Sequence, residues 1–378
     1  MKLHSDITLP ASKSESNRAL MIAAYGSFTP DFQNLSDSND TLVLAKALND
    51  IQQGNSTVDI ADCGTAARFL TTYLACHEGD WLLTGTERMQ QRPIASLVEA
   101  LNSLGAEIQY ISNERCLPLR IKGKSLAGGK VRIDMHSSSQ FASSLVLAAP
   151  MLPKGIEIEL LGEFVSVPYL DMTVGMMRHF GAEVEQKGRI VKVFSKPYQS
   201  KSFRIDADWS AASYWYEMAA LSEECEIRLR GLTKQSLQGD SIIAEWMQQL
   251  GVGTFIENDS AVLKKIPFDK RPMCFDFSNC PDLYPTMVAT CAALHIEAHF
   301  TGIGNLHLKE SNRVEAMQTE LAKLGQQPLR FCSHGDHRIV MALAPLALLY
   351  GPVTFDHPDV VKKSYPRFWY DADFLSVN

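Results

Sequence analysis

Apolar positions along this chain fall into two alternating patterns. Six segments open on small or polar residues and run on into alanine-rich stretches that are apolar nearly all round. They begin near Ser14 (SESNRALMIAA), Gly64 (GTAARFLTTYLA), Ser138 (SSQFASSLVLAA), Ser210 (SAASYWYEMAAL), Leu283 (LYPTMVATCAAL) and Asp336 (DHRIVMALAPLALL). A helix without a polar face belongs inside a core, so the pattern predicts six buried helices. Amphipathic segments alternate with them and end in an apolar residue followed by glycine: SLVEALNSLGAE, DMTVGMMRHFGAE, SIIAEWMQQLGVG and RVEAMQTELAKLGQ. Gly105, Gly181, Gly251 and Gly325 are placed as left-handed C-caps. Short strand-like runs lie between the helices, at 107–111, 190–194, 227–229 and 298–301. The repeating unit mixes strand and helix over roughly 50 to 75 residues. Such alternation gives an α/β or α+β architecture, and the pattern fits either a doubly wound sheet or a less usual arrangement.

Length and charge narrow the function. A chain of 378 residues has room for two domains, each with its own core. Lys and Arg number 36 against 43 Asp and Glu, a net charge of −7, which argues against non-specific nucleic-acid binding. It also means that a local cluster of cations is no by-product of overall basicity. The eight cysteines (63, 76, 116, 225, 274, 280, 291 and 332) form no C-x-x-C pair and read as reduced, buried residues of a cytosolic protein. The opening MKLHSDITLP has no apolar core of signal-peptide length. The longest uncharged apolar run, 339–351, is too short to span a bilayer and contains Pro345. The expectation is a cytoplasmic protein without membrane or nucleic-acid partners.

Candidate chemistry gathers at the polar starts of the apolar helices. In PASKSESNRALMIAA, Ser12, Lys13, Ser14, Ser16, Asn17 and Arg18 precede the apolar body. A helix N-terminus leaves unpaired N–H groups and partial positive charge, which favour anions. Gly64 opens another such helix, where bare backbone can approach a ligand. Arg88 and Arg92 follow, then Ser138-Ser139-Gln140, Asp282 after a proline, Lys309-Glu310-Ser311-Asn312-Arg313, Asp336-His337-Arg338, and Lys362-Lys363. Taken singly, each has an ordinary explanation. The first is a capped helix with a solvated basic start, Arg88 and Arg92 are a solvated face, and 309–313 are surface charges with i,i+4 pairing. His334 and His337 lack a third ligand and read as non-metal. Taken together, guanidiniums and hydroxyls recur at the repeat starts of an acidic protein. That implies a cleft between repeats that binds more than one anionic group, with Asp282 and Glu310 as the carboxylates available for proton transfer.

These residues carry a resemblance over nearly the whole chain. SKSESNRAL, CGTAARF, RMQQRPI, SSQF, VSVPY (165–169), DWSAASYW (208–215), QGD (238–240), PD (281–282), LKESNR, DHR and KKSYP (362–366) occur in the order found in the 5-enolpyruvylshikimate-3-phosphate synthase family, the 3-phosphoshikimate 1-carboxyvinyltransferases. The resemblance implies a two-domain enolpyruvyl transferase fold of six repeated strand-helix units, three per domain, with buried helices pointing at an interdomain cleft that closes on binding. It places the first domain at 12–206 and the second at 1–11 with 207–378. It implies transfer of the enolpyruvyl group of phosphoenolpyruvate to the 5-hydroxyl of shikimate-3-phosphate by addition–elimination, in the shikimate pathway of aromatic amino-acid biosynthesis. No metal or organic cofactor is implied, and a monomer is expected.

Carried over residue by residue, the resemblance gives shikimate-3-phosphate to Ser14, Arg18, Ser138, Ser139, Gln140, Ser166, Tyr169, Asp282, Asn305 and Lys309. It gives phosphoenolpyruvate to Lys13, Gly64, Arg92, Gln140, Arg313, Arg338 and Lys363. Asp282 is the expected base, and Glu310 or Lys13 the expected acid. The chain departs from the family at Asp62 (usually Asn), Cys63 (usually Ala), Asn312 (usually Asp), His307 (usually Arg) and Asn39 (usually Asp). The nearest alternative is the sister transferase acting on UDP-N-acetylglucosamine, but that family carries a reactive Cys in the loop that here runs 88–94 without one. A catalytically silent binding homologue is a second alternative, against which Lys13, Asp282, Glu310 and Lys363 are all in place.

Overall fold

The six apolar helices are present in a computed structural model of the chain, which describes residues 2–135, 138–375 and 377. They span Lys13–Gly26, Gly64–Ala75, Ser139–Ala148, Trp209–Leu221, Tyr284–Ala293 and His337–Leu343. Their starts are set by local caps. The side chains of Cys63, Ser138, Asp208 and Asp336 each accept a hydrogen bond from the exposed N–H groups of the first turn. The amphipathic helices end as expected, and Gly105, Gly181, Gly251 and Gly325 all have φ between 85° and 95°. The run 339–351 differs from the single helix that its apolarity suggests. It breaks at Pro345 into the His337–Leu343 helix, a 3-10 turn Ala344–Leu346 and a short helix Ala347–Tyr350, because proline cannot donate to the helical ladder.

The chain divides into two compact units. One comprises Met1–Ser12, Ser36–Asn39 and Asp206–Asn378, the other Lys13–Leu35 and Asp40–Ile205. Each holds three of the buried helices.

The first unit has a four-stranded sheet in the order Lys2–Thr8, Glu224–Arg230, Ser260–Lys265, Val252–Glu257. Its first pair is parallel, with Lys2 opposite Glu224, and the other two pairs are antiparallel. Alternation decides which face is buried. Leu3 and Ile7 on one strand and Cys225, Ile227 and Leu229 on the next turn inward. The outer face carries cross-strand ion pairs such as Arg230–Asp6 at 2.6 Å. Two parallel strand pairs, Met273–Asp276 with Ala298–Thr301 and Leu329–Phe331 with Val353–Phe355, complete its sheets among the described residues. Its core is aromatic around Trp215, Tyr214, Phe275, Phe277 and Phe368.

The second unit repeats the four-stranded topology twice. One sheet orders Thr57–Asp59, Gly79–Thr84, Leu119–Gly123, Glu107–Tyr110, and the other Gly129–Asp134, Ile156–Leu161, Ile190–Val193, Val184–Lys187. A parallel pair, Phe32–Gln33 with Phe203–Arg204, is the third. Small hydroxyl residues let its helices pack closely, and the Thr72 and Ser144 hydroxyls meet at 2.5 Å between the second and third. Among the described residues no helix is long and apolar enough to cross a membrane. The eight cysteines are all free, but only Cys63, Cys225, Cys280 and Cys291 are buried; Cys76, Cys116 and Cys332 are half-buried and Cys274 is exposed, against the expectation that all are buried.

Two segments of the first unit run past each other where the chain passes from one unit to the other. Ser12 N–H donates to the Asp206 carbonyl at 2.7 Å, and Asp208 N–H donates to that of Pro10 at 2.9 Å. Gln238 fixes the second segment, accepting from Trp209 N–H and donating to the Ala207 carbonyl.

Candidate active site

In the 13–205 unit, the expected ligand residues cluster at the starts of the buried helices. Lys13, the first residue of its helix, is 12% exposed and reaches Asp40, whose Oδ2 lies 2.9 Å from its Nζ. Arg18, one turn on, is 2% exposed. Its Nε donates to Thr173 Oγ1 at 2.7 Å, Nη1 to the Ser14 carbonyl and Nη2 to the Tyr169 carbonyl. The guanidinium also lies over the Tyr169 and Phe69 rings. Burial brings its pKa down to about 10, which leaves it charged at neutral pH.

Ser166, just before the Val167–His179 helix that carries Tyr169 and Thr173, is buried at φ 58°, a left-handed conformation that costs a non-glycine residue about 1–3 kcal/mol. Ser138 caps its helix by accepting Gln140 N–H, Ser139 is buried, and the Gln140 amide donates to Thr65 Oγ1 at 3.2 Å. Gly64 precedes Thr65. A Cβ added there would lie 2.7 Å from Nη1 of Arg92, so bare backbone is what lets that guanidinium sit against the helix start.

The other unit carries two of the acid–base candidates, Asp282 and Glu310, and both are ion-paired to Arg313. Asp282, in the turn Pro281–Leu283, bridges two guanidiniums: Oδ1 accepts from Arg313 and Oδ2 from Arg338, each at 2.7 Å. Arg313 opens the Arg313–Leu321 helix and is 1% exposed. Its other nitrogens reach Glu310 at 2.9 Å and Asp336 at 2.8 Å. The solvated-surface explanation of 309–313 therefore fails for Arg313, which is enclosed by three carboxylates. Arg338 also donates to the Tyr214 hydroxyl.

Burial works to raise the Asp282 pKa, but the charges of Arg338, Arg313 and Lys309 outweigh it and hold the carboxyl well below the usual range. Burial likewise disfavours the Arg313 charge, and Asp336, Asp282 and Glu310 more than restore it. Asn305 is buried before the turn Leu306–Leu308, and its Oδ1 has no hydrogen-bond partner. Lys363, 5% exposed, ends the turn Pro358–Lys363, which packs on the His337–Leu343 helix.

Several residues without a role in the site assigned from sequence organise these groups. Asp336, fully buried, caps the helix of Arg338 with one oxygen and holds Arg313 and the Ser311 hydroxyl with the other. Its place ahead of a buried helix was the available signal. Asp40, Thr173 and Tyr214 had none, since each meets its cation through tertiary structure alone.

The family departures fall into two kinds. Cys63 and Asn312 act as caps, accepting from Ala66 N–H and Glu315 N–H. Asn39, Asp62 and His307 are exposed. His334 pairs with Glu320 at 2.9 Å.

Comparison with known proteins adds a separate line of evidence. Residues 49–371 match the family model of EPSP synthase (3-phosphoshikimate 1-carboxyvinyltransferase). A 3-phosphoshikimate 1-carboxyvinyltransferase of Bacteroides fragilis is 43% identical over 391 residues, covering 98% of this chain and 95% of the relative. One from Haemophilus influenzae is 34% identical over 425 residues, covering 98% and 96%. In fold, the chain is similar to an EPSP synthase structure from Acinetobacter baumannii, with a TM-score of 0.75 at 20% identity over 99% of this chain and 96% of that one.

Proposed function

We infer the roles of these residues from the premise that this chain belongs to the EPSP synthase family, the 3-phosphoshikimate 1-carboxyvinyltransferases. It is a transferase that moves the enolpyruvyl group of phosphoenolpyruvate to shikimate-3-phosphate in aromatic amino-acid biosynthesis. The observation that carries the mechanism is the Asp282 carboxylate bridging Arg313 and Arg338. In that state Asp282 is too acidic to serve as a base. Phosphoenolpyruvate brings a carboxylate and a phosphate, anions that guanidiniums bind in bidentate fashion. As those anions take up Arg313 and Arg338, Asp282 loses the charges that depress it and gains the basicity to accept the 5-hydroxyl proton. Substrate binding thus switches on the base.

The activated hydroxyl attacks the central carbon of phosphoenolpyruvate while its methylene carbon gains a proton. Glu310, which takes up a proton from solvent once the same exchange frees it from Arg313, or the Lys13 ammonium, oriented by Asp40, supplies it. The tetrahedral adduct then loses phosphate and a proton. Arg18, held by Thr173 and by the Ser14 and Tyr169 carbonyls, is set to receive the shikimate-3-phosphate phosphate together with Ser138, Ser139, Gln140 and Ser166. The unpartnered Asn305 Oδ1 is an acceptor suited to a substrate hydroxyl, beside Lys309. Lys13, Gly64, Arg92, Gln140 and Lys363 complete the phosphoenolpyruvate set. In this reading the enzyme acts as a cytoplasmic monomer on two soluble substrates.

Turnover in D₂O tests it. The transient methyl group makes its hydrogens equivalent, so deuterium should enter the vinyl group of the product, read by mass spectrometry and NMR. Product free of vinyl deuterium would overturn addition–elimination. Phosphate release that depends on UDP-N-acetylglucosamine instead of shikimate-3-phosphate would overturn the substrate.

A further inference from the structure

A second buried carboxyl group, Asp240, is left unused by the mechanism above: it meets Ser210, one helical turn before the Tyr214 hydroxyl that accepts from Arg338. Asp240 lies in the turn Gly239–Ile242, which packs against the first turn of the Trp209–Leu221 helix. It is 3% exposed. Its Oδ2 accepts the Ser210 hydroxyl proton, and its Oδ1 is buried without a hydrogen-bond partner. The charged and titratable groups facing it are Asp282 and Cys280 from the 280–282 segment, Arg338 from the His337–Leu343 helix and Asp208 from the cap of the helix it packs on.

A desolvated carboxylate needs a cation of its own. Arg338 is the cation facing Asp240, and Asp282 takes its Nη2 at 2.7 Å. Two carboxylates sharing one cation in a desolvated site do not ionise together: one takes the charge first and the other keeps its proton to higher pH. Asp282 bridges both guanidiniums, so it keeps the charge.

We propose that Asp240 is a positioning residue for Asp282 that carries a proton in the resting site, and whose ionisation opposes phosphoenolpyruvate at Arg338. Burial and the Asp282 charge push the Asp240 carboxyl up to about 7, within reach of physiological pH. Below that value the pair carries one negative charge, and above it two. When the substrate takes Arg338, the pair loses its cation, and the doubly ionised form suffers most. The Asp240 proton stays on the pair and is not consumed in turnover. The part concerning substrate rests on the reading that phosphoenolpyruvate binds Arg338; the protonation state does not.

Two measurements on the full chain test it. Infrared difference spectra of the substrate-free enzyme between pH 6 and pH 8.5 should show a protonated-carboxyl carbonyl band that disappears as pH rises. The band should be missing from the same difference in Asp240→Asn. Glu217, another buried acid, is present in both proteins and cancels. In Ser210→Ala the midpoint should move to higher pH, because the ionised form loses its hydroxyl donor. That variant identifies Asp240 even where Asp240→Asn does not fold. In steady-state assays with shikimate-3-phosphate saturating, wild-type KM for phosphoenolpyruvate should rise about tenfold more than that of Asp240→Asn over this pH range. No titrating band in the wild type, or parallel KM profiles, would overturn the proposal. A wild type that does not turn over phosphoenolpyruvate would sink the substrate reading instead, and the infrared arm would still decide where the proton sits.

Discussion

Replacing Arg313 by alanine should damage stability and catalysis together, in a way that lets the two be separated. The guanidinium is 1% exposed and holds three carboxylates, of which Asp336 is fully buried. Without it, Asp336 keeps the Arg338 N–H at 3.0 Å, the Ser311 hydroxyl at 3.1 Å and His337 Nδ1 at 3.4 Å, and loses the guanidinium that balances its charge. Breaking a buried pair from one side costs about 3–5 kcal/mol. At about 2–4 °C per kcal/mol for a unit of this size, Tm should fall by about 6–20 °C.

Asp336→Asn keeps the cap acceptor and removes the buried charge. In the Arg313→Ala background it should therefore recover stability, with a coupling energy of about 1–3 kcal/mol. Phosphoenolpyruvate binding, by calorimetry, should be weaker by about 2–5 kcal/mol in both the single and the double variant, and shikimate-3-phosphate binding much less affected. A thermal scan of Arg313→Ala within 2 °C or so of wild type, or a double variant no more stable than the single, would refute the idea that Arg313 chiefly neutralises Asp336. Equal loss of both substrate affinities would point to misfolding of the unit.

Two further outcomes follow from the geometry. Gly64→Ala sets a methyl group where the Arg92 guanidinium lies, and a flexible side-chain end yields more readily than backbone; Tm should hold while KM for phosphoenolpyruvate rises by about tenfold or more, whereas an unchanged KM would take Arg92 out of that site. Asp356 accepts the N–H groups of Ser333 and His357 at 2.7 Å and the Cys332 thiol at 3.1 Å; burial raises its pKa, but these bonds outweigh it and hold the carboxyl at about 2. Its folded pKa lies below an unfolded value near 4, so its contribution is present above about pH 4 and disappears as pH falls toward 2. Asp356→Asn should accordingly lower Tm at pH 7 and leave it unchanged at pH 2; Tm curves that stay parallel over that window would exclude the carboxylate as the cause.

The legible parts of this protein were those with local causes. Alanine-rich runs opened by Ser138 or Asp336 announce capped, buried helices, because cap and apolar body lie within a few residues of each other. The glycines after Leu104 and Phe180 announce helix ends for the same reason. Arg18, Arg313 and Arg338 were legible as cations but not as buried ones. Arg18 is held by Thr173, 155 positions away in sequence, and Arg338 by Asp282, 56 positions away. Residues 309–313 show the limit best. Their charges match a solvated helix face, and it is Asp282, 31 positions before Arg313, and Asp336, 23 positions beyond it, that draw the arginine into the interior. Asp240 illustrates the same limit. An aspartate in a Gln-Gly-Asp turn gives no hint that a second carboxylate stands beside it.

The parallel pairing of Lys2–Thr8 with Glu224–Arg230 has a consequence for how the chain is made. The Lys2–Thr8 strand has its partner more than two hundred residues downstream, with the whole of 13–35 and 40–205 synthesised in between. At translation rates of about 5–20 residues per second, the N-terminal strand waits roughly ten to forty seconds for that partner. The 13–205 unit closes all its strand pairs within itself and can reach its folded form in that interval. The other unit cannot begin its largest sheet until Glu224–Arg230 appears. Leu3 and Ile7 stay uncovered meanwhile, and the charges at Lys2, Asp6 and their neighbours are what keep that unpaired edge from finding another chain first.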